Sequence, residues 1–218
     1  MPCLPRPFLL AAALVLTLGL ASCGGGRPAA PPAPTAVSGL PTEGPACVVN
    51  LVAANVAFDR VTDFRNQRGC GITTAVSLYE GAAVPLNRPV KVSCGLAAAV
   101  LAWETQVLHP LAQRVVGQPL VKVHHVGGYV CRGRTSDRSR LSEHAHGRAI
   151  DVIAFEFADG RIARVAEHWD DRGPLGRFLR EASQGACGVF QVVLSPNADA
   201  AHRDHLHLDV GPWKLCQG

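Results

Sequence analysis

The sequence predicts an α+β fold, an antiparallel sheet with helices on one side. Three observations lead there. Ser93 to Val116 carries one apolar stripe at helical spacing. Several short segments after it alternate apolar and polar residues and are separated by turn signals. Six cysteines between Cys47 and Cys216 make an even set, as expected of a crosslinked exported domain. A chain of 218 residues, 48% hydrophobic and without evident repeats, supports one globular domain. The formal charge of +4 is too small to argue for nucleic acid as a partner.

Taken in order, residues 1–22 read as a targeting segment. Arg6 precedes an apolar run from Phe8 to Leu20, which is short for a membrane span and suits a signal peptide. The run ends in Leu20-Ala21-Ser22-Cys23, the pattern of a bacterial lipoprotein. Cleavage there would leave Cys23 as an acylated first residue; the plainer alternative is a secretion signal with an incidental cysteine. Gly24 follows, so no inner-membrane retention aspartate is visible. The expected location is the cell envelope, with the lipid in the outer membrane and the domain facing the periplasm. Residues 23–46 are rich in Gly, Pro and Ala and read as a lipidated tether, leaving 47–218 as the domain.

Within the domain, Cys47, Cys70, Cys94, Cys131, Cys187 and Cys216 are spaced too widely for a zinc finger, so three disulfides are expected. Cys131 with Cys187 is the favoured pair, because both adjoin predicted core strands. Phe58 to Arg65 has weak amphipathic character, and Gly71 to Leu78 is β-branched enough for a strand. Pro85 and Pro89 should break the chain before the next element. In the long helix, Ser93 is the cap and Leu96, Val100, Trp103, Val107, Leu111 and Val115 form the stripe. Pro110 should kink or split it, and Gly117 should end it. Leu120 to Val126 follows as a strand. His124 and His125 are adjacent there and face opposite sides, so they cannot serve one metal together.

After Asp151, Val152 to Phe157 suits a strand, Asp159-Gly160 a hairpin turn and Ile162 to Val165 the return strand. Trp169 to Asp171 lie in a connection. Leu175, Phe178, Leu179 and Ala182 mark a helix of about three turns. Gly188 to Leu194 is a strand, Asn197 to Arg203 a loop, and His205 to Val210 the last core strand.

Two stretches carry the chemistry: Ser142-Glu143-His144-Ala145-His146-Gly147-Arg148-Ala149-Ile150-Asp151 and Asp204-His205-Leu206-His207-Leu208-Asp209. His144 and Asp151 are spaced for a loop leading into a strand, and His205 and His207 point to one face of a strand. Two histidines and a carboxylate leave a fourth zinc position open for water, the arrangement of a catalytic rather than a structural site. Spacing alone permits either His205 or His207 as the second imidazole. His146 forms a further His-x-His with His144; it could compete as a ligand, but a place lining the cleft or supporting the ligands is the favoured reading. Either Asp204 or Asp209 could orient an imidazole. Glu143 lies outside the helical His-Glu-x-x-His arrangement and is not assigned as a general base.

The run Ser142, His144, Gly147, Ala149, Asp151, then His205 and His207, resembles the zinc peptidases of the lysostaphin, D,D-carboxypeptidase and hedgehog group. The segments Gly-Tyr-x-Cys-Arg at 128–132, Leu-Ser-Glu-His at 141–144 and Ala-His-Arg-Asp-His-x-His-x-Asp at 201–209 more closely resemble the bacterial extensin-like protein C-terminal domain. The resemblance covers roughly residues 45–218. It implies a hedgehog/D,D-peptidase-like fold, with zinc on His144, Asp151 and His207 and with His205 as the proton-handling histidine. It also implies Arg132 facing the substrate carbonyl, with Tyr129 and Ser142 at the substrate; an exposed arginine without that role is the alternative reading of Arg132. The implied activity is zinc-dependent hydrolysis of amide bonds in peptidoglycan stem peptides, of D,D-carboxypeptidase or endopeptidase type. The implied partners are peptidoglycan and, through the lipid, the membrane, with the domain acting as a monomer. Hedgehog-like relatives keep such a zinc and serve as binding proteins, so a non-catalytic domain that binds wall material or an envelope protein is the second class of function.

Overall fold

The computed structural model describes residues 43–218; the leader, Cys23 and the tether up to residue 42 lie outside the described residues. The first element is helix α1 (Gly44–Ala53), which begins inside the stretch read as tether. Pro45 pre-sets its first turn, and it buries Cys47, Val48 and Leu51. Strand β1 (Ala57–Arg60) and the two-residue strand β2 (Phe64–Arg65) follow. The weakly amphipathic stretch is therefore extended chain. β2 pairs with β3 (Gly71–Ile72) in a small hairpin apart from the main sheet.

Strands β4 (Ala75–Glu80) and β5 (Pro85–Ser93) come next, so neither proline breaks the chain. The reason lies in the register. β5 pairs with β4 from Val90 to Ser93, then slips so that Pro85 next meets Glu80. Pro89 sits in that slip, where no ladder hydrogen bond is asked of it.

The long helix starts at Ser93, whose hydroxyl accepts from Leu96 N–H at 3.3 Å. It runs as α2 (Cys94–Trp103), a π turn (Glu104–Leu108), α3 (His109–Leu111) and a second π turn (Ala112–Val116). Pro110 is accommodated rather than splitting the helix: the backbone stays right-handed helical at every junction, and the turns on both sides widen to span five residues. Gly117 ends it in the left-handed conformation, φ 72°. Glu104 is fully buried. It accepts from Ala82 N–H in the β4–β5 turn, where His109 Nε2 donates to Ala82 O at 3.1 Å. Burial pushes the Glu104 carboxyl up to about 8.

The second half supplies β6 (Leu120–Gly127), β7 (Ala149–Phe157), β8 (Ile162–Arg164), α4 (Val165–His168), α5 (Pro174–Ala186), β9 (Val192–Leu194), β10 (Leu206–Asp209) and β11 (Leu215–Gln217). The main sheet runs β1-β4-β5-β6-β7-β10-β9-β11, with β8 on β7 beyond the end of β10. It is antiparallel except where β5 meets β6 and β9 meets β11. The fold is thus mixed α/β with a mostly antiparallel sheet.

β7 is the central strand, and its register against β6 slips near Ile153. The slip exchanges the core-facing set from Ile150 and Val152 to Phe155 and Phe157. Asp151 therefore points away from the core, as does His207 between core residues Leu206 and Leu208 of β10. On the core side, Trp103 meets Phe155 and Phe190 edge-on at 5.7 and 5.8 Å, and its indole N–H donates to Ala182 O at 3.1 Å. Among the described residues no helix is long and apolar enough to cross a membrane.

All six cysteines of the domain are paired, but not as favoured from sequence. Cys47 joins Cys94, tying α1 to the start of α2; Cys70 joins Cys131; Cys187 joins Cys216. The Cys131–Cys187 expectation fails because Cys131 does not continue the β6 strand. It lies in the segment beyond Gly128 that crosses the β2–β3 hairpin, whereas Cys187 caps α5 and meets β11, a strand not read from the sequence.

Candidate metal centre

Three elements bring the site together. Asp151 and His207 are direct cross-strand partners on β7 and β10, on the face opposite the core. His144 comes from a 3-10 turn (Glu143–His146) that immediately precedes β7. Ser142 caps this turn, its hydroxyl accepting from His144 N–H at 3.4 Å, and Gly147 closes it at φ 63°. A side chain at 147 would also collide with Ile72.

One ligand atom from each of His144, Asp151 and His207 lies within 4.8 Å of the other two. His144 Nε2 is 3.1 Å from Asp151 Oδ1 and 3.2 Å from His207 Nδ1, and His207 Nδ1 is 3.0 Å from the same Asp151 oxygen. The outer nitrogens set the tautomers. His144 Nδ1 donates to Gly128 O at 2.6 Å, and a carbonyl can only accept, so Nε2 of the neutral ring is bare. His207 Nε2 donates to Asp209 Oδ2 at 3.1 Å, so Nδ1 is the nitrogen turned to Asp151 and becomes bare when the ring gives up its second proton. Two inward-facing ring nitrogens and a carboxylate oxygen converging on one point suit a cation.

The electrostatics agree. Burial works against the charge of Asp151, yet its close contacts with the His144 and His207 rings hold its carboxyl well below the usual carboxylate range. Burial likewise works against a charged His207, but its hydrogen bonds to Asp151 and Asp209 prevail and hold it up to about 9. An entering cation would take the place of that proton.

His205 is not one of the three. Its Nδ1 is fixed by Asp204 at 2.8 Å, and its Nε2 stands 3.8 Å from Asp151 Oδ1. Both aspartates flanking the His-x-His thus orient an imidazole, Asp204 for His205 and Asp209 for His207. Beside the cluster opens a cleft of about 570 Å³, lined in part by His207, Asp209, Ser142, Arg132, His202 and Trp213. Arg132 is exposed there and has no acidic partner among the described residues. Tyr129 is not in the cleft wall; its ring packs edge-on against Phe64 at 5.0 Å. His146 turns away into a separate cavity with Arg65 and Arg148, and is no part of the cluster. His124 pairs with Glu156 at 3.1 Å, and buried His125 bonds Arg88 O at 3.0 Å. Glu143 is held by Arg148 at 2.7 Å and Arg134 at 3.5 Å, so its buried carboxylate is spent on ion pairs.

Two neighbours escaped the sequence reading. The Gly128 carbonyl is invisible to residue-type reasoning. His202 lies within 5.8 Å of His207, ring to ring, and is fixed by Asp199 at 2.8 Å. Its Asp-x-x-His spacing was the available signal.

No curated protein matches the chain. No solved structure matches it either. The family described as extensin-like protein C-terminus matches residues 45–217, which is nearly all of the described chain. The match spans well over half of the chain, and the chain belongs to the extensin-like protein C-terminus family.

Proposed function

We propose that this protein is a zinc-dependent hydrolase of amide bonds in peptidoglycan stem peptides, held at the bacterial envelope by a lipid on Cys23. The observation that carries this reading is the donor set. A tetrahedral zinc with bonds of about 2.0–2.1 Å places its ligand atoms roughly 3.3 Å apart. The three separations found are 3.0, 3.1 and 3.2 Å. Two imidazoles and one carboxylate are a zinc set that leaves an open position. His144, Asp151 and His207 would hold the ion. The order of these residues in the chain also supports kinship with the lysostaphin, D,D-carboxypeptidase and hedgehog group, and with it a hedgehog/D,D-peptidase-like fold.

A zinc bound here would act as a Lewis acid and lower the pKa of a bound water to about 7. The remaining work falls to the chain. His205 donates Nδ1–H to Asp204, so its Nε2 is free to take a proton from water and return it to the departing nitrogen. Arg132, unpaired in the cleft wall, meets the negative charge that builds on the carbonyl oxygen. Gly128 O and Asp209 hold the ligand rings in the correct tautomers. Ser142 acts through the turn that presents His144, while its place in the cleft wall also lets it meet substrate.

The test is to load the protein with zinc, incubate it with purified peptidoglycan and read the products by mass. The expected result is a released D-amino acid or a severed crosslink. His205→Ala should keep its zinc and lose about 10²–10⁴-fold in rate. A zinc-loaded wild type that binds wall material without cutting it would favour the binding-domain reading, and one that does neither would refute both.

A further inference from the structure

Residues 133–141 form a short hairpin closed by the Gly133–Leu141 bridge and by Arg134 N–H donating to Arg140 O at 2.8 Å. It stands beside the cleft, and its arginines outnumber its acids. Arg132, Arg134, Arg138 and Arg140 fall within it or at its foot, against Asp137 alone, whose carboxylate is occupied by Ser139 at 2.6 and 3.0 Å. Across from it stands Trp213, 53% exposed. The Arg140 guanidinium lies 5.2 Å from its ring centre and that of Arg134 5.9 Å. Arg140 makes no ion pair among the described residues; Asp137 feels its charge at longer range, and the Trp213 ring lies over it. An exposed aromatic ring at a cleft mouth, beside Arg140 and the unpaired Arg132, suits recognition of an anion; Arg134 is already shared with Glu143 at 3.5 Å.

We propose that the Arg134–Arg140 hairpin and Trp213 form a subsite for a free carboxylate on a peptide lying in the cleft. Guanidinium forks match a carboxylate with two parallel hydrogen bonds. A continuous polyanion fits poorly, because Asp199 and Asp209 also line the cleft and Asp204 stands exposed near them. A discrete carboxylate at the arginine end, followed by a neutral stretch towards the metal cluster, meets both charges. A cleft of about 570 Å³ has room for such a short peptide segment. The inference rests on the hydrolase reading for the direction in which the peptide lies, and it makes the substrate class an acidic stem peptide.

The test compares two N-acetylated pentapeptides ending in D-Ala-D-Ala that differ only in D-Glu or D-Gln at the second position. Binding to the zinc-loaded protein is followed by tryptophan fluorescence; Trp103 and Trp169 are buried, so Trp213 is the exposed reporter among the described tryptophans. The D-Glu peptide should bind about tenfold tighter, and Arg140→Gln should erase most of that preference, the size expected of one charge-assisted hydrogen bond. Trp213→Phe should keep the preference and lose the signal, which calorimetry then reads instead. Equal binding of the two peptides overturns the proposal, as does a preference that survives in the Arg134→Gln, Arg140→Gln double variant. Competition by millimolar inorganic phosphate as effective as the D-Glu peptide would reduce the subsite to a plain anion hole and also overturn it. If the preference is found and no peptide is cut, the subsite stands and the hydrolase reading falls; if peptides are cut with no preference, the reverse holds.

Discussion

Replacing Asp209 by asparagine tests the tautomer argument most sharply. The residue is 4% exposed. Its Oδ1 accepts from Gly211 N–H at 2.9 Å, and its Oδ2 accepts from His207 Nε2–H at 3.1 Å. Asparagine keeps one oxygen for Gly211 but turns an N–H₂ towards His207. Two donors then face each other, and the neutral ring that would bind an ion relieves this by keeping its proton on Nδ1 rather than Nε2. That proton lands between His207 and Asp151, where Nδ1 and Oδ1 are 3.0 Å apart, and it removes one of the three donor pairs. Restoring the metal-ready tautomer costs about 10–100-fold in affinity, the usual effect of losing such a carboxylate partner. That is about 1.4–2.7 kcal/mol. The assay is competition for zinc against a chromophoric chelator. Asp204→Asn is the control, since its partner His205 is not a ligand and zinc affinity should hold. A zinc affinity in Asp209→Asn within about twofold of wild type would refute the tautomer argument.

Other outcomes follow from the same structure. The fold prefers protonated Glu104, whose carboxyl is held up to about 8 against an ordinary 4.5. The wild type should therefore lose stability as pH rises from about 4.5 to about 8, whereas Glu104→Gln should be flat over that window and more stable at its upper end; parallel Tm-versus-pH curves would contradict this. Trp103→Ala empties a site that is 1% exposed and should cost about 3–5 kcal/mol in urea denaturation, with a loss under about 1 kcal/mol inconsistent with the core described. Replacing Cys187 and Cys216 together by serine should cost about 2–4 kcal/mol and weaken peptide binding, because β11 and the adjoining Trp213 lose their tie to α5. Unchanged Tm and unchanged binding would count against that tie.

Much of the site was legible because its spacing is local. Asp151 where the His144 loop leads into a strand, and His205 and His207 on one face of a later strand, follow from spacing and periodicity, whereas the choice of His207 over His205 came with the family resemblance. The long helix was legible for the same reason, from its stripe to its Gly117 stop. What escaped depends on tertiary partners. β5 looked broken because prolines forbid a regular ladder, and nothing in the sequence announces that the ladder slips where Pro89 sits. The exchange of faces near Ile153 is hidden in a run of apolar residues that reads as one continuous alternation. Cysteine pairing depends on which loops cross, and the favoured Cys131–Cys187 pair assumed that Cys131 continued a strand it leaves. Tyr129 was placed by motif order, yet it turns to Phe64 once the Cys70–Cys131 bond fixes the neighbouring backbone. α1 and β11 lacked signals because each depends on packing that the rest of the chain supplies.

The insertion of β10 between β7 and β9 bears on how the chain assembles and what the ion would guard. Asp151 and His207 are 56 residues apart in sequence and meet only when β10, near the C-terminal end, has docked. The donor set therefore exists in the finished protein and in no partly folded chain that lacks that strand. An ion present at 1,000 times its dissociation constant adds about 4 kcal/mol to such a state. That gain falls on the β7–β10 seam, so chelation should raise amide hydrogen exchange first in β9, β10 and β11 while the Trp103 core stays protected. The metal would then act as a latch between the C-terminal strands and the rest of the sheet.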